Sequence, residues 1–265
     1  MILVAGGTGR LGTLVVRRLA ARGLAVRVLT RDPARAAHLQ DATTDVLVGD
    51  VRVPATLPAA MRGVTAVVSA VHGFGGPGRV SPASVDEKGN ANLIDAAAAA
   101  GADVILLSVV GASATHPMEL FRAKFAAEQH LRASSTRWTI VRCTAFRELW
   151  ADIMTKPIVF GHGDNPINFV SVETAATAVE HAVVDPSLRG QVVDVGGPTN
   201  MTFNQLCAEF QAARGDTAKV RHIPRGLLRA MSPISRRAAA AVAMDTADMT
   251  FTAPSAHQQP VPATR

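Results

Sequence analysis

Short runs rich in Val, Ile and Leu alternate along this chain with longer segments of helical period. Residues 2–5, 25–29, 45–48, 65–70, 104–109 and 139–141 lack the inside–outside alternation of a half-solvated strand. Strands buried on both faces read this way, and the amphipathic segments between them have the length of the crossovers that a parallel sheet needs. The pattern predicts a doubly wound α/β unit with a mostly parallel sheet. Beyond residue 141 the rhythm loosens at Pro157, Gly161, Gly163 and Pro166. It resumes with a helix over 172–184, a strand over 191–195, a Gly196-Gly197-Pro198 turn and a helix capped by Thr202 that runs to about residue 212. The expected organisation is a Rossmann-type domain over 1–145, a substrate-side α/β region over 146–252 that completes the fold, and a loosely held tail over 253–265, where three prolines break any period.

Directly after the first strand stands GGTGRLG, followed by the amphipathic LVVRRL. A strand, a glycine turn and a helix in that order form a phosphate cradle. Glycines allow the tight turn and the close backbone approach, and the helix N-terminus presents unpaired N–H groups and a positive dipole. The context singles out the glycines of this loop and the helix N-terminus after them as the cradle of a dinucleotide pyrophosphate. The second strand ends in LTRD, where the adenosine ribose of such a ligand lies. Arg31, with Arg10 in reach of the same position, suits a 2′-phosphate and points to NADP, NAD remaining possible; Asp32 before Pro33 either binds a ribose hydroxyl or caps the next helix. Asp50 with Val51 after the third strand either accepts the adenine amino group or makes a turn. The small residues Ser69 and Ala70, with Val71, leave room for ribose and nicotinamide over the sheet edge.

Composition narrows the alternatives. Only Cys143 and Cys207 are present, in no metal-ligand spacing, and no apolar stretch approaches the length of a membrane span. The opening residues have no basic n-region, so a soluble, cytoplasmic protein is expected. Residues 211–265 hold eight Lys and Arg against three Asp, most of the formal charge of +6. That basic end meets nucleic acid, an acidic partner or an anionic substrate, or is a solvated helix face; no aromatics interleave to stack single-stranded bases. Met154, Met201, Met231, Met244 and Met249 serve either an adaptable apolar pocket or plain core.

Together, GGTGRLG, LTRD, VGDV and DEKGNANLIDAAAAAG resemble the atypical short-chain dehydrogenase/reductases, and within them the NmrA-like, NAD(P)H-binding group. LLSVVGA, FRAKFAAEQHLRASSTRWTIVRCTAF, INFVSVETAATAV and VVDVGGPTNMTFNQL extend the likeness over about residues 1–210. The resemblance implies cofactor contacts at Gly6, Thr8, Gly9, Arg10, Leu11, Gly12, Arg31 and Asp50, with Ser69, Ala70 and Val71 beneath the cofactor, a nicotinamide ribose contact at Lys124, and closure over the nicotinamide by Cys143, Thr144, Ala145 and Phe146. Read by its spacing alone, Lys124 is also a candidate surface lysine paired with Glu128 at i+4.

The resemblance breaks at one place. In active members of the wider superfamily a tyrosine precedes the lysine by four residues; here that position is Leu120, and the chain contains no tyrosine. A carbonyl reduced by hydride becomes an alkoxide that needs a proton, so the usual alcohol dehydrogenase mechanism is excluded. Three readings stay open: a reductase of quinone-like acceptors, whose reduced anions take a proton from water; a reductase with another donor, His72 in the loop after strand four ahead of His116, His162 and Cys143, with Lys124 and the strand residue Ser108 beside it; or a non-catalytic NADP(H) sensor acting on a protein partner.

Overall fold

The computed structural model describes residues 1–74 and 80–252. Residues 253–265, expected to form a loose tail, lie outside the described residues. Seven parallel strands form the central sheet in the order β10-β6-β5-β4-β1-β2-β3. They are β1 Ile2–Ala5, β2 Val26–Thr30, β3 Thr44–Val48, β4 Ala66–Ser69, β5 Asp103–Val109, β6 Trp138–Cys143 and β10 Gln191–Val195. β1 and β4 are buried along their whole length, as unalternated apolar runs require.

Both faces of the sheet are covered by helices. α1, Arg10–Ala21, and α6, Val172–Val184, enclose one core around Val4, Val15, Leu19, Val68, Val141 and Val179. The other face carries the short α2, Leu57–Ala60, with α3, Lys88–Ala99, and α4, Glu119–Ala133, around Leu3, Leu57, Val67, Leu93, Leu106 and Leu131. Because β1 lies between β2 and β4, the connections leave it in opposite directions and open a crevice at the strands' carboxyl ends.

The stretch after residue 143, sparse in sequence signals, is structured. β7 (Ala145–Phe146), β9 (Ile167–Val170) and β11 (Asn200–Met201) form a small sheet, with α5 (Arg147–Ile153) between its first two strands. β8 (Ile158–Phe160) pairs with β12 (Arg221–Ile223), followed by α8 (Arg225–Met231) and α9 (Arg236–Met244). α7, Phe203–Arg214, begins with a capping box between Thr202 and Gln205, as the sequence anticipated. A third apolar cluster gathers these pieces around Met154, Phe169, Phe203, Leu206, Phe210 and Met244. Met154 and Met244 are therefore core residues, and Met231 is exposed. No helix among the described residues is long and apolar enough to cross a membrane.

The turn after β1 and the start of α1 are in close backbone contact. A Cβ on Gly12 would stand 2.2 Å from the Gly6 carbonyl oxygen and 2.7 Å from Gly7 Cα. Gly12→Ala must push α1 off the sheet, and urea titration is expected to show a loss of about 2–3 kcal/mol, the usual cost of overpacking. Gly226→Ala is the control: nothing lies within 4 Å of its added methyl group, so the helix gains a better former and no stability is lost.

Candidate functional site

At the end of β1 the chain turns on Gly6, whose φ of +85° is open to glycine at no steric cost. A Cβ there would lie 2.5 Å from the Ala70 carbonyl oxygen, so glycine is also required by the contact with the segment after β4. Gly9 N–H donates to the Gly6 carbonyl at 3.0 Å and closes the loop. Gly9 caps α1 with no side-chain acceptor, and no acid stands in the first turn. The first-turn amides and the helix dipole are therefore left to an external anion. Leu11 turns its side chain into the core, so its part in the cradle falls to the backbone; Thr8 lies partly exposed on the turn. A turn whose closest backbone approaches are made at glycines, ending in first-turn amides, fits the diphosphate of a dinucleotide.

The two guanidiniums expected around the ribose are placed differently. Arg31 is exposed just beyond β2, with no ion-pair partner among the described residues, and its charge acts on Asp50. Arg10 pairs instead with Asp152 of α5, across the mouth of the loop. Asp32 is a cap: its carboxylate accepts from Ala34 N–H at 3.1 Å and starts the 3₁₀ segment Pro33–Leu39. Asp50 accepts from Arg52 N–H at 2.9 Å and holds the Arg52 guanidinium at 2.6 Å. Burial would raise the Asp50 pKa, but Arg52 outweighs it and the carboxyl titrates below its ordinary range. Val51 is buried beside it, and its carbonyl accepts from Asn92 at 2.8 Å.

At the carboxyl edges of β4, β5 and β6, charge is buried. Lys124 projects from α4 with its side chain 5% exposed and does not meet Glu128, which overturns the surface-pair alternative. Its ammonium donates to the Val71 carbonyl at 3.1 Å and faces Asp86 Oδ1 at 3.0 Å, an ion pair outside hydrogen-bond geometry. Asp86 was not anticipated from the sequence. It is fully buried on a single π turn, Ala83–Glu87, ahead of α3, and its Oδ2 accepts from Gly73 N–H at 2.7 Å. Asn90, one turn on, donates to the Asp86 carbonyl at 2.7 Å and accepts from Ser69 Oγ at 2.5 Å, tying the end of β4 to the same turn. Ala70, next after Ser69, donates its N–H to the Ala5 carbonyl.

His72 follows directly on the loop. It keeps exposed surface, yet enough protein surrounds the ring that loss of water, first, drives its pKa below the ordinary imidazole value; the Asp86 carboxylate opposes this and Lys124 adds to it. Cys143, at the end of β6, is buried, and burial pushes its thiol up to about 12 although Lys124 pulls the other way. Thr144 donates from Oγ1 to Asn168 at 2.9 Å, and Phe146 packs partly buried against the α1–α6 core. Ser108 points elsewhere. Its hydroxyl donates to Glu128 Oε1 at 2.5 Å, and Glu128 is clamped by Arg142 at 2.5 Å, a closed network with no proton to spare.

The placement groups Lys124, Asp86, His72 and Cys143 from four separate elements, beside the segment after β4 that also touches the glycine loop, and sets Ser108 apart. A family described as NAD(P)H-binding matches residues 6–186. Among curated proteins, an NAD(P)H azoreductase of Xenophilus azovorans is 30% identical over 222 residues, 81% of this chain and 74% of that protein. A photosystem II assembly factor of Trieres chinensis is 25% identical over 241 residues, 88% of this chain and 75% of that one. An Escherichia coli NADPH-dependent quinone oxidoreductase, solved with NADPH, shares the fold with a TM-score of 0.78 at 22% identity over 95% of this chain and 91% of its own. With its glycine cradle, switch-point crevice and seven-stranded parallel sheet, this chain belongs to the NAD(P)H-binding family whose model matches it.

Proposed function

We propose that the chain is an NADPH-dependent reductase of small, planar, quinone-like acceptors that works without a phenolic proton donor. The observation that carries this reading is the pairing of a buried, cleft-edge Lys124 with a leucine where the superfamily's tyrosine would stand, in a chain with no tyrosine. When bound, the nicotinamide supplies a hydride. The backbone of Gly6, Gly9 and Gly12 would hold the diphosphate, Arg31 the 2′-phosphate, and Lys124 the nicotinamide ribose through an N–H not spent on the Val71 carbonyl. A quinone-like acceptor becomes an anion stable enough to wait for a proton, so positioning replaces strong acid catalysis. Carbonyl acceptors, whose alkoxides are far more basic, depend on a donor inside the site.

His72 is the proposed donor. Cys143 does not compete: a buried thiol with a pKa of about 12 gives up its proton too reluctantly near neutral pH. Support for the acceptor class comes from the azoreductase and quinone oxidoreductase relatives, both named for conjugated, planar acceptors. The assembly-factor relatives favour a second reading, an NADP(H)-binding protein that acts on a partner without turnover.

Spectrophotometric consumption of NADPH against a panel of quinones and azo dyes separates the two. Turnover of any acceptor supports the reductase; tight NADPH binding with no turnover across the panel leaves the partner-binding reading in its place. With an acceptor in hand, pH decides the role of His72. An imidazole whose pKa lies below the ordinary value is neutral at pH 7 and charges only in acid, so a rate that depends on its proton rises as pH falls through that lowered pKa. His72→Gln is expected to flatten this acid limb, and an unchanged profile would remove His72 from the mechanism.

Cofactor choice is tested at Arg31. Arg31→Ala is expected to weaken NADPH binding about tenfold or more, roughly 1.4 kcal/mol, with NADH affinity changed less than about threefold, since only NADPH carries the extra phosphate. Equal losses in calorimetry would mean that Arg31 does not meet the 2′-phosphate.

A further inference from the structure

A fully buried carboxylate needs a reason, because taking it out of water is costly unless partners replace the solvent. Asp86 has three connections, each to a part of the site. Its Oδ2 accepts from Gly73 N–H at 2.7 Å, its Oδ1 faces the Lys124 ammonium at 3.0 Å, and its own carbonyl is held by Asn90 at 2.7 Å. It also sits on a π turn, where Lys88 N–H reaches back five residues to the Ala83 carbonyl. One residue more than an α-helix would use is inserted there, a feature that recurs at functional sites.

The partners of Asp86 are themselves unusual. Gly73 immediately follows His72, so the bond to Gly73 N–H fixes the peptide on which the imidazole is mounted. Gly73 has no room to move toward the turn: a Cβ on it would lie 2.3 Å from the Ser81 carbonyl oxygen. The Lys124 ammonium spends one N–H on Val71, the residue immediately before His72. Asp86 and Lys124 therefore grip the loop on either side of His72, one through the amide of residue 73 and the other through the carbonyl of residue 71.

We infer that Asp86 is the positioning residue of this site, its carboxylate seating the Lys124 ammonium and fixing the loop that carries His72. It touches no reacting atom. Without its negative charge, Lys124 would be a lone buried cation, free to turn toward the cleft or to lose its proton, and the loop would lose its anchor. Among the described residues, the charged and titratable groups facing the His72–Lys124 pair are Asp86 from the π turn and Cys143 from β6. Of these, Asp86 alone carries a negative charge. Its consequence for turnover rests on the reductase reading; its geometry does not.

Histidine titration in the full chain, free of cofactor and acceptor, tests the assignment. Long-range imidazole ¹H–¹⁵N spectra, with the His72 signal identified by its loss in H72Q, report the midpoint directly. Asp86→Asn is expected to lower the His72 midpoint by about half a unit or more, and Lys124→Gln to raise it. Opposite signs are the signature of a carboxylate and an ammonium bearing on one ring; a midpoint unmoved in D86N, or shifts of the same sign, overturns the inference. If D86N does not fold, the double variant D86N/K124Q, which removes both charges of the buried pair, must place the midpoint below that of K124Q alone, and equal midpoints overturn it. In an acceptor assay, D86N is expected to lower kcat about tenfold and move the acid limb to lower pH, with NADPH affinity within about threefold of the parent. Failure to find any acceptor would count against the reductase reading and leave the titration standing. An unmoved titration beside normal turnover would sink the role of Asp86 alone.

Discussion

Three backbone segments that touch without side chains between them set the geometry of everything else. The Gly6 carbonyl lies under Gly12 on one side, and Gly6 itself lies against the Ala70 carbonyl on the other. Any Cβ at Gly6 or Gly12 would separate β1, α1 and the end of β4. Because they are in contact, α1 starts directly over the sheet and buries Leu11, Val15 and Leu19 at four-residue steps. From that position its outer arginines, Arg18 and Arg22, reach Glu180 on α6 and lock the two helices covering that face. A turn that brings backbone so close leaves amides at its tip, which is why the same constraint that packs the domain also makes its anion site.

The opposite face depends on charge rather than on close approach. α4 carries Lys124 and Glu128 one turn apart, both buried and each satisfied by a different element, Asp86 for the lysine and Arg142 with Ser108 for the glutamate. Opposite charges at that spacing on an exposed helix would pair with each other. Here burial gives each a separate partner, and the helix becomes a bridge between the π turn and β5–β6. Buried ion pairs return little net stability against the desolvation they cost, so they are poor candidates for mere fastening. The glutamate network is closed on itself and has a structural role. The lysine network retains an unclaimed N–H and adjoins an exposed imidazole, and only it faces the crevice.

How much of this was legible in the sequence follows from where each signal resides. The central strands and the helices over 172–184 and from Thr202 were readable because burial on two faces and capping chemistry are local properties; Ile2–Ala5, Val172–Val184 and Gln191–Val195 were placed to the residue. The glycine cradle was legible for the same reason. β8, β9, β12, α8 and α9 were not, since short strands of three or four residues and helices of seven to nine carry too few periods to stand out, and tertiary packing forms them. Asp86 was missed although its signal was present: Asp86 and Asn90 stand at i, i+4 on a face that continues through Leu93, Ile94 and Ala97, all buried. Lys124 offered the same clue, lying in register with Phe121 and Leu131. A polar residue on the apolar stripe of a helix is the sign of a buried partner, but that partner lies on another element and spacing cannot name it. Arg10 shows the converse, a residue correctly placed in the loop whose partner, Asp152, is distant in sequence.

The missing phenol has a consequence for the shape of the site as well as for its proton chemistry. Leu120 packs partly buried against the apolar cluster of the C-terminal lobe, beside Phe121, which stacks on His116 with ring centroids 4.0 Å apart. Position 120 thus supplies an aliphatic side chain and no hydroxyl. Burial strengthens the Lys124–Asp86 interaction, and a low-dielectric site penalises any acceptor that must accumulate unscreened charge. Acceptors that spread a new negative charge over a conjugated ring pay least of that penalty. The substitution at position 120 and the buried ion pair thus act in the same direction under the proposed reading: one removes the acid that a simple carbonyl would require, and the other suits an anion that does not need it.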